Sequence, residues 1–362
     1  MSKIPVLVIF APTATGKTEL LFRLFGKRQN REKGDPEFSP PQIPNAKIIS
    51  ADSMQVYRGM DICTAKPTAE ERRRLEHFLL DIKNPDEQFS VAEFVERADA
   101  ICEQLFSQGI LPVVCGGTGF YIRSFLLGLP KTPEGDEKIR ERLHSQAEEF
   151  GSEKMWQKLF SLDRQSAQKI NPNDTYRILR ALEIYEITGK PRTEFLGEQV
   201  LREKYNFTTL ILERDRADLY NRIDLRVEKM FADGLESEVK SLAQKYPPDA
   251  PGMKAIGCQE FFDCPSETSS EEIKSRIKRD SKKYAKKQRF FMRGIPGAEI
   301  FHIPQDEDSA KSVYAQIAQR AAAAAAVVKS VNGAPSLSQP PKFIGSPSFL
   351  RMPIAATFAD AP

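Results

Sequence analysis

The 362-residue sequence is poor in the residues that staple small domains together, with five cysteines, none in a CxxC pair, and three histidines. Cys63, Cys102, Cys115, Cys258 and Cys264 form an odd, scattered set. Such a set argues against a disulfide framework and a structural zinc, and fits a reducing cytoplasm. No stretch approaches the roughly 20 apolar residues needed to cross a bilayer, so no membrane partner is expected. The apolar run Ile4–Phe10 follows a single lysine and lacks a small-residue cleavage site, so it reads as a buried strand rather than a signal peptide. Bulk charge is equally uninformative: Lys+Arg 53 against Asp+Glu 50 leaves +3, so the distribution of charge must identify a partner.

What the sequence does contain is alternation. Short apolar runs at Val6–Phe10, Lys47–Ala51, His77–Ile82, Ile110–Cys115, Thr208–Glu213 and Ala298–Ile303 read as buried strands, with amphipathic stretches such as Val91–Gly109 between them. This pattern predicts an α/β fold, a P-loop-like parallel sheet with helices on both faces. The alternation stops between Leu129 and Gln199, where helix-like segments run without a strand. The expected organisation is therefore a core in two parts (1–128 and 201–320), a helical insertion (129–200) and a disordered tail (321–362). Gly26–Lys47 is polar and Pro-rich and reads as a surface loop.

The first strand runs into "APTATGKT", Ala11–Thr18. The Walker pattern is G-x-x-x-x-G-K-[ST]; Gly16, Lys17 and Thr18 match it, and Ala11 stands at the first glycine position. In such a loop the backbone of Ala11, Pro12, Thr13, Ala14, Thr15 and Gly16 would cradle phosphates, aided by the positive end of the next helix. Lys17 would add a point charge and the Thr18 hydroxyl would ligate Mg²⁺. A chance glycine turn is the competing reading. Asp81, closing "FLLD", is a candidate second metal-holding acid, or simply a carboxylate at the end of a core strand. By itself the loop says diphosphate plus Mg²⁺ and no more.

Two further segments belong at the carboxyl edge of such a sheet, where ligands bind. Asp52 follows the second apolar run and could serve as metal ligand, proton acceptor or cap. "CGGTGFY", Cys115–Tyr121, offers glycines for close backbone approach and a hydroxyl at Thr118. Downstream, Ile273–Arg293 carries ten Lys/Arg residues. At ~100° per residue, Ile273, Ile277, Tyr284, Gln288 and Phe291 share one stripe, and Lys278, Lys282, Lys286, Arg289 and Arg293 lie opposite. That leaves either a basic face for nucleic-acid phosphates or an ordinary solvated face.

Taken in series, "APTATGKT", "ISADSMQVYRGMDICTAKP", "GGTGFY", "NPNDTYRILRALEIYEITGK" and "KAIGCQE" resemble the tRNA dimethylallyltransferases, in their bacterial form, from about Ile4 to Arg293. The resemblance implies a P-loop-kinase-like fold and a reaction in which a dimethylallyl group leaves dimethylallyl diphosphate. The acceptor would be the exocyclic amine of the adenosine 3′-adjacent to the anticodon. The bond broken would then be carbon–oxygen, with Asp52 as general base, Lys17 and Arg222 on the diphosphate and Thr118 where the substrates meet. Arg226 lies one turn beyond Arg222, and either could be a solvated helix charge. Partners implied are the tRNA anticodon stem-loop and the allylic donor, bound by a monomer. Contacts to tRNA would come from Asp52, Ser53, Met54, Gln55 and Thr118, from Arg140, from Tyr176, Arg177, Ile178, Leu179 and Arg180, and from Lys286, Gln288 and Arg293. Judged alone, Ile178 and Leu179 read as core. The chain departs from the family pattern at Ala11, at Cys63 in place of glycine, at Cys258 in place of tyrosine, and in "AKKQRFF" where "AKRQxTW" is usual. Alternatives are an isopentenyltransferase acting on free adenine nucleotides, an ATP-dependent phosphotransferase, and a non-catalytic tRNA-binding protein.

Overall fold

The computed structural model describes residues 2–26, 43, 45–197, 199–265 and 267–332. Six strands form one sheet: β1 (Ile4–Phe10), β2 (Ala46–Ser50), β3 (His77–Phe78), β4 (Leu111–Gly116), β5 (Tyr205–Glu213) and β6 (Ala298–His302). Their order is β3-β2-β4-β1-β5-β6, and every pair is parallel. All six expected strands are present, and the fold is the α/β arrangement read from the sequence. β3 is the exception in length, ending at Phe78 rather than Ile82. Leu79 and Asp81 adopt φ of +63° and +54°, a left-handed conformation that no strand can contain.

β1 shows why the sheet needs cover on both sides. Ile4, Val6, Val8 and Phe10 enter one apolar cluster, Leu7 and Ile9 the other, and all seven strand residues are buried. The period-two alternation sends neighbouring side chains to opposite faces. One face carries α3 (Val91–Ser107) and α4 (Gly119–Leu127); the other carries α1 (Lys17–Phe25) and α13 (Glu307–Asn332). A short α2 (Ala69–Arg74) precedes β3, and between β5 and β6 come α9 (Arg216–Ala232), α10 (Leu235–Ala243), α11 (Gln259–Phe262) and α12 (Ser270–Met292).

The segment expected as a helical insertion holds α5 (Glu137–Phe150), α6 (Ser152–Leu162), α7 (Arg164–Lys169) and α8 (Thr175–Thr188). It has its own apolar centre, built from Leu143, Leu159, Ile178, Leu179 and Leu182 among others.

The tail requires correction. α13 continues to Asn332, so residues 321–332 are helix rather than disordered chain. Ala321, Ala324, Ala325 and Val328 are buried on the sheet. An alanine run reads as low complexity, yet alanine is the best helix former and lets a helix approach a sheet closely. Residues 333–362, and most of the Gly26–Lys47 loop, lie outside the described residues.

Leu182→Ala should cost roughly 2–5 kcal/mol of unfolding free energy, because its side chain is fully enclosed in the insertion's core. Denaturant unfolding checks this; a loss below about 1 kcal/mol would mean the site collapses around the cavity.

Candidate functional site

Because β1 is central, its loop sits between those of β4 and β5 at the carboxyl edge. The Ala11–Gly16 loop is held from outside by its own carbonyls. Arg214 Nε donates to Thr15 O (2.9 Å) and Arg222 Nε to Ala14 O (2.9 Å). Lys17 Nζ donates to Ala11 O (3.0 Å) and Pro12 O (2.9 Å), and the Thr15 hydroxyl donates to Pro12 O (2.8 Å). Arg214 and Arg222 hold the peptides whose N–H groups belong to Gly16 and Thr15, while the Thr13 N–H donates to Gln288 and the Ala11–Pro12 peptide has none. α1 begins at Lys17, so its first N–H groups lack intrahelical acceptors and add to that donor set. The alanine at the first glycine position causes no strain: the left-handed residues are Ala14 (φ 61°) and Gly16 (φ 100°), not Ala11. Burial lowers the pKa of Lys17 and that of Arg226, whose Nη1 donates to Thr13 Oγ1 (2.9 Å).

Asp52 lies two residues beyond β2, and its Oδ1 accepts the N–H groups of Met54 (2.9 Å) and Gln55 (3.3 Å). The carboxylate thus shapes the turn that carries Ser53, Met54 and Gln55. Its negative charge also supports the protonated forms of Lys17 and Arg226 against their burial. Thr118 closes the other side: its N–H donates to Ala51 O (3.1 Å) and its Oγ1 accepts from Ser53 N–H (2.9 Å). Gln55 is spent internally, its Nε2 reaching Thr64 O and Ala65 O (both 3.2 Å).

The glycines of "GGTGFY" make this convergence possible. A Cβ on Gly116 would sit 2.1 Å from Ala51 O, and one on Gly117 would sit 2.3 Å from Gln288 Nε2. Gln288 is buried and accepts Thr13 N–H (3.0 Å) while donating to Gly117 O (2.7 Å). It clamps two loops of the sheet edge together. Tyr284, one turn earlier on α12, lies beside Thr118 and Gln288, and burial together with the Asp52 charge pushes its hydroxyl up to about 12.

These groups surround one cavity of about 350 Å³. Thr13, Lys17, Thr18, Asp52 and Arg226 line its polar part, and Ile223, Val227, Met230, Ile256 and Ile277 supply an apolar wall. Arg222 stands outside, beside Gly16 and Lys17, on a second hollow over the loop. Arg214 was not among the residues singled out from the sequence. Its signal was position: it directly follows β5 at the same edge as the other loops.

Two expected tRNA contacts are corrected. Ile178 and Leu179 are buried in the insertion's core and cannot offer side chains to a macromolecule. Gln288 is the loop clamp and also lines the cavity. Among the rest, Arg140 and Arg180 both pair with the buried Glu183 (3.2 and 2.5 Å), Arg177 lies 3.3 Å from Asp174, and Tyr176 is 78% exposed. The basic stripe of α12 is also thinner than expected. Lys278 pairs with Glu228, and Lys282 with Asp224 (2.7 Å). Lys286 and Arg293 are exposed.

Asp81 does not act at the phosphate loop. It pairs with Lys66 (2.6 Å) and Arg72 (2.5 Å) and does not line the cavity. Burial alone would raise its pKa, but those two cations hold it below the usual carboxylate value.

The IPP transferase family matches residues 55–294. The chain is 42% identical over 289 residues to tRNA dimethylallyltransferase 2 of Geotalea uraniireducens, covering 79% of this chain and 88% of that one. It is 40% identical over 308 residues to the tRNA dimethylallyltransferase of Bacillus cytotoxicus, covering 84% and 92%. Among solved structures, the full-length tRNA isopentenylpyrophosphate transferase of Bacillus halodurans is similar with a TM-score of 0.61 at 33% identity, covering 91% of this chain and 100% of that one. A eukaryotic dimethylallyltransferase acting on tRNA is similar with a TM-score of 0.71 at 26% identity, covering 92% and 81%.

Asp81→Asn should lower stability at neutral pH by about 1–3 kcal/mol, since the buried Lys66 ammonium loses its shorter carboxylate contact. A carboxylate with a depressed pKa stabilises above its unfolded pKa and loses that contribution as pH falls through its folded pKa. The difference between wild type and variant in urea should therefore close below about pH 4. A variant that kept its stability but lost its Mg²⁺ dependence would return Asp81 to the metal.

Proposed function

The chain belongs to the IPP transferase family and transfers a prenyl group to tRNA; we propose that its donor is dimethylallyl diphosphate and its acceptor the exocyclic amine of the adenosine 3′-adjacent to the anticodon. The observation that carries this reading is the cavity itself: an anion-binding loop, a carboxylate and an apolar wall open onto one space. A phosphoryl transfer needs the first but has no use for the third. An allylic diphosphate needs both, with its phosphates at the loop and its five-carbon chain against Ile223, Val227 and Met230.

As the carbon–oxygen bond breaks, positive charge spreads over the allyl group and negative charge gathers on the departing diphosphate. In this reading Lys17 and the first N–H groups of α1 would meet the leaving diphosphate at the cavity, with Arg222 reaching the loop from outside, and preorganised donors of this kind make electrostatic stabilisation effective. The Thr18 hydroxyl is a hard oxygen on the cavity that would help hold Mg²⁺, an ion that normally takes its other ligands from phosphate and water. When bound, the ion would neutralise charge on the diphosphate. Asp52 keeps one oxygen on the Met54 and Gln55 amides, and its second oxygen can accept the proton that the adenine amine must lose. Thr118 and Ser53 bound the space where the flipped base would enter. The reading extends to a monomer working in the cytoplasm, where unmodified tRNA is found.

Asp52→Asn keeps an acceptor for the two turn amides and removes only the base, so turnover should fall about 10²–10⁴-fold. Single-turnover assays with nucleoside mass spectrometry check this, while RNA affinity, measured separately, should change little. Turnover close to wild type would remove Asp52 from the chemistry. Replacing Lys286 and Arg293 together by glutamate should weaken tRNA binding most at low salt and flatten its salt dependence, as expected for lost phosphate contacts. Unchanged binding across a salt titration would show that the RNA does not cross this face of α12.

A further inference from the structure

Phe290 is 75% exposed, an unusual placement for a phenylalanine on a helix whose other apolar residues dock on the core. It is held in place. Its ring meets that of Phe291 edge to face, with centroids 6.3 Å apart at 83°. Phe291 packs so tightly on Gly119 that a Cβ there would lie 2.4 Å from the Phe291 Cβ. One residue past Gly119, Phe120 at the start of α4 is also 53% exposed. Two aromatic rings therefore flank the seam where α12 meets α4, immediately beside Gly117, Thr118 and the Gln288 clamp.

The surroundings of Phe290 are cationic. Lys286 lies four residues before it, Lys287 three before and Arg293 three after, so all three share its helical face. All three are exposed, and none makes an ion pair among the described residues, unlike Lys278 and Lys282 further up the same helix. A protein or lipid partner could use the ring or the charges. Their interleaving on the helix whose inner face lines the cavity through Ile277, Tyr284 and Gln288 matches single-stranded nucleic acid, whose bases stack on aromatic faces while cations follow the phosphates.

We propose that Phe290, with Phe120 across the α4–α12 seam, is a stacking platform for an unpaired base flanking the adenosine drawn into the cavity. The inference rests on the tRNA-prenylating reading and adds a recognition element to it. A ring braced by Phe291 loses little freedom when a base lands on it, so the contact favours binding over turnover.

The test uses the full chain and an unmodified anticodon stem-loop RNA, alongside versions carrying an abasic site at each loop position next to the target adenosine. Phe290→Ala and Phe290→Leu should each weaken RNA binding by about tenfold or more, whereas Phe290→Trp should keep it. The loss should appear in KM for RNA far more than in kcat. One abasic RNA should bind wild type about tenfold less tightly yet bind Phe290→Ala no worse than the intact loop does, which identifies the stacked base. Thermal unfolding should be unmoved in all variants because the side chain is exposed. Wild-type-like binding by Phe290→Ala, or full recovery by leucine, would overturn the platform. A wild-type protein that failed to bind or modify the intact RNA would instead overturn the functional reading beneath it.

Discussion

Everything at this site depends on the capture of the phosphate loop's carbonyls by side-chain cations. Arg214, Arg222 and Lys17 together take four of them, those of Thr15, Ala14, Ala11 and Pro12. The trans peptides held by Arg214 and Arg222 fix the opposite direction of the Gly16 and Thr15 N–H groups, whereas Ala11 O and Pro12 O face the Lys17 ammonium, which itself lines the cavity. The arrangement concentrates positive charge before any ligand arrives, and burial of Lys17 and Arg226 lowers the pKa of each, the cost of holding those charges out of water. That cost is what a di-anionic or tri-anionic ligand would relieve, so affinity and selectivity for phosphates share one origin.

α12 ties this anion site to the rest of the molecule. Through Gln288 it joins the amide of Thr13 to the carbonyl of Gly117, and through Tyr284 it reaches Thr118. The same helix carries exposed Lys286, Lys287, Phe290 and Arg293 on its outer side. Its inner face sets the distance between diphosphate loop and acceptor loop, and its outer face offers a surface to a polyanion. Binding outside and alignment inside are therefore coupled through one rigid element, a sound basis for holding two substrates at reacting distance.

The sheet was legible because its strands are continuous apolar runs bounded by loops, and period alone separates them from the amphipathic helices. The meeting of the Ala11–Thr18 loop, Asp52 and Thr118 at one sheet edge was legible because residues at the carboxyl ends of parallel strands share that edge. Other features were hidden for physical reasons. Gln288 sits on an otherwise apolar stripe, and only the structure shows that it bridges two loop backbones. Asp81 looks like a metal ligand until Lys66, fifteen residues earlier, is seen buried against it. The charge run on α12 overstated its free face, because Asp224 and Glu228 on α9 neutralise part of it. The alanine-rich end of α13 hid a packed helix, since nothing in its composition signals the sheet that buries it.

The central claim is that the loop grips a leaving diphosphate and that the bond broken joins carbon to oxygen. The most direct measurement uses dimethylallyl diphosphate carrying heavy oxygen at the bridge between carbon and phosphorus, with mass analysis of both products after one turnover on tRNA. Carbon–oxygen cleavage leaves every heavy atom in the released diphosphate and none in the modified adenosine. Label retained with the five-carbon unit, or a phosphoryl group found on the acceptor, would contradict it.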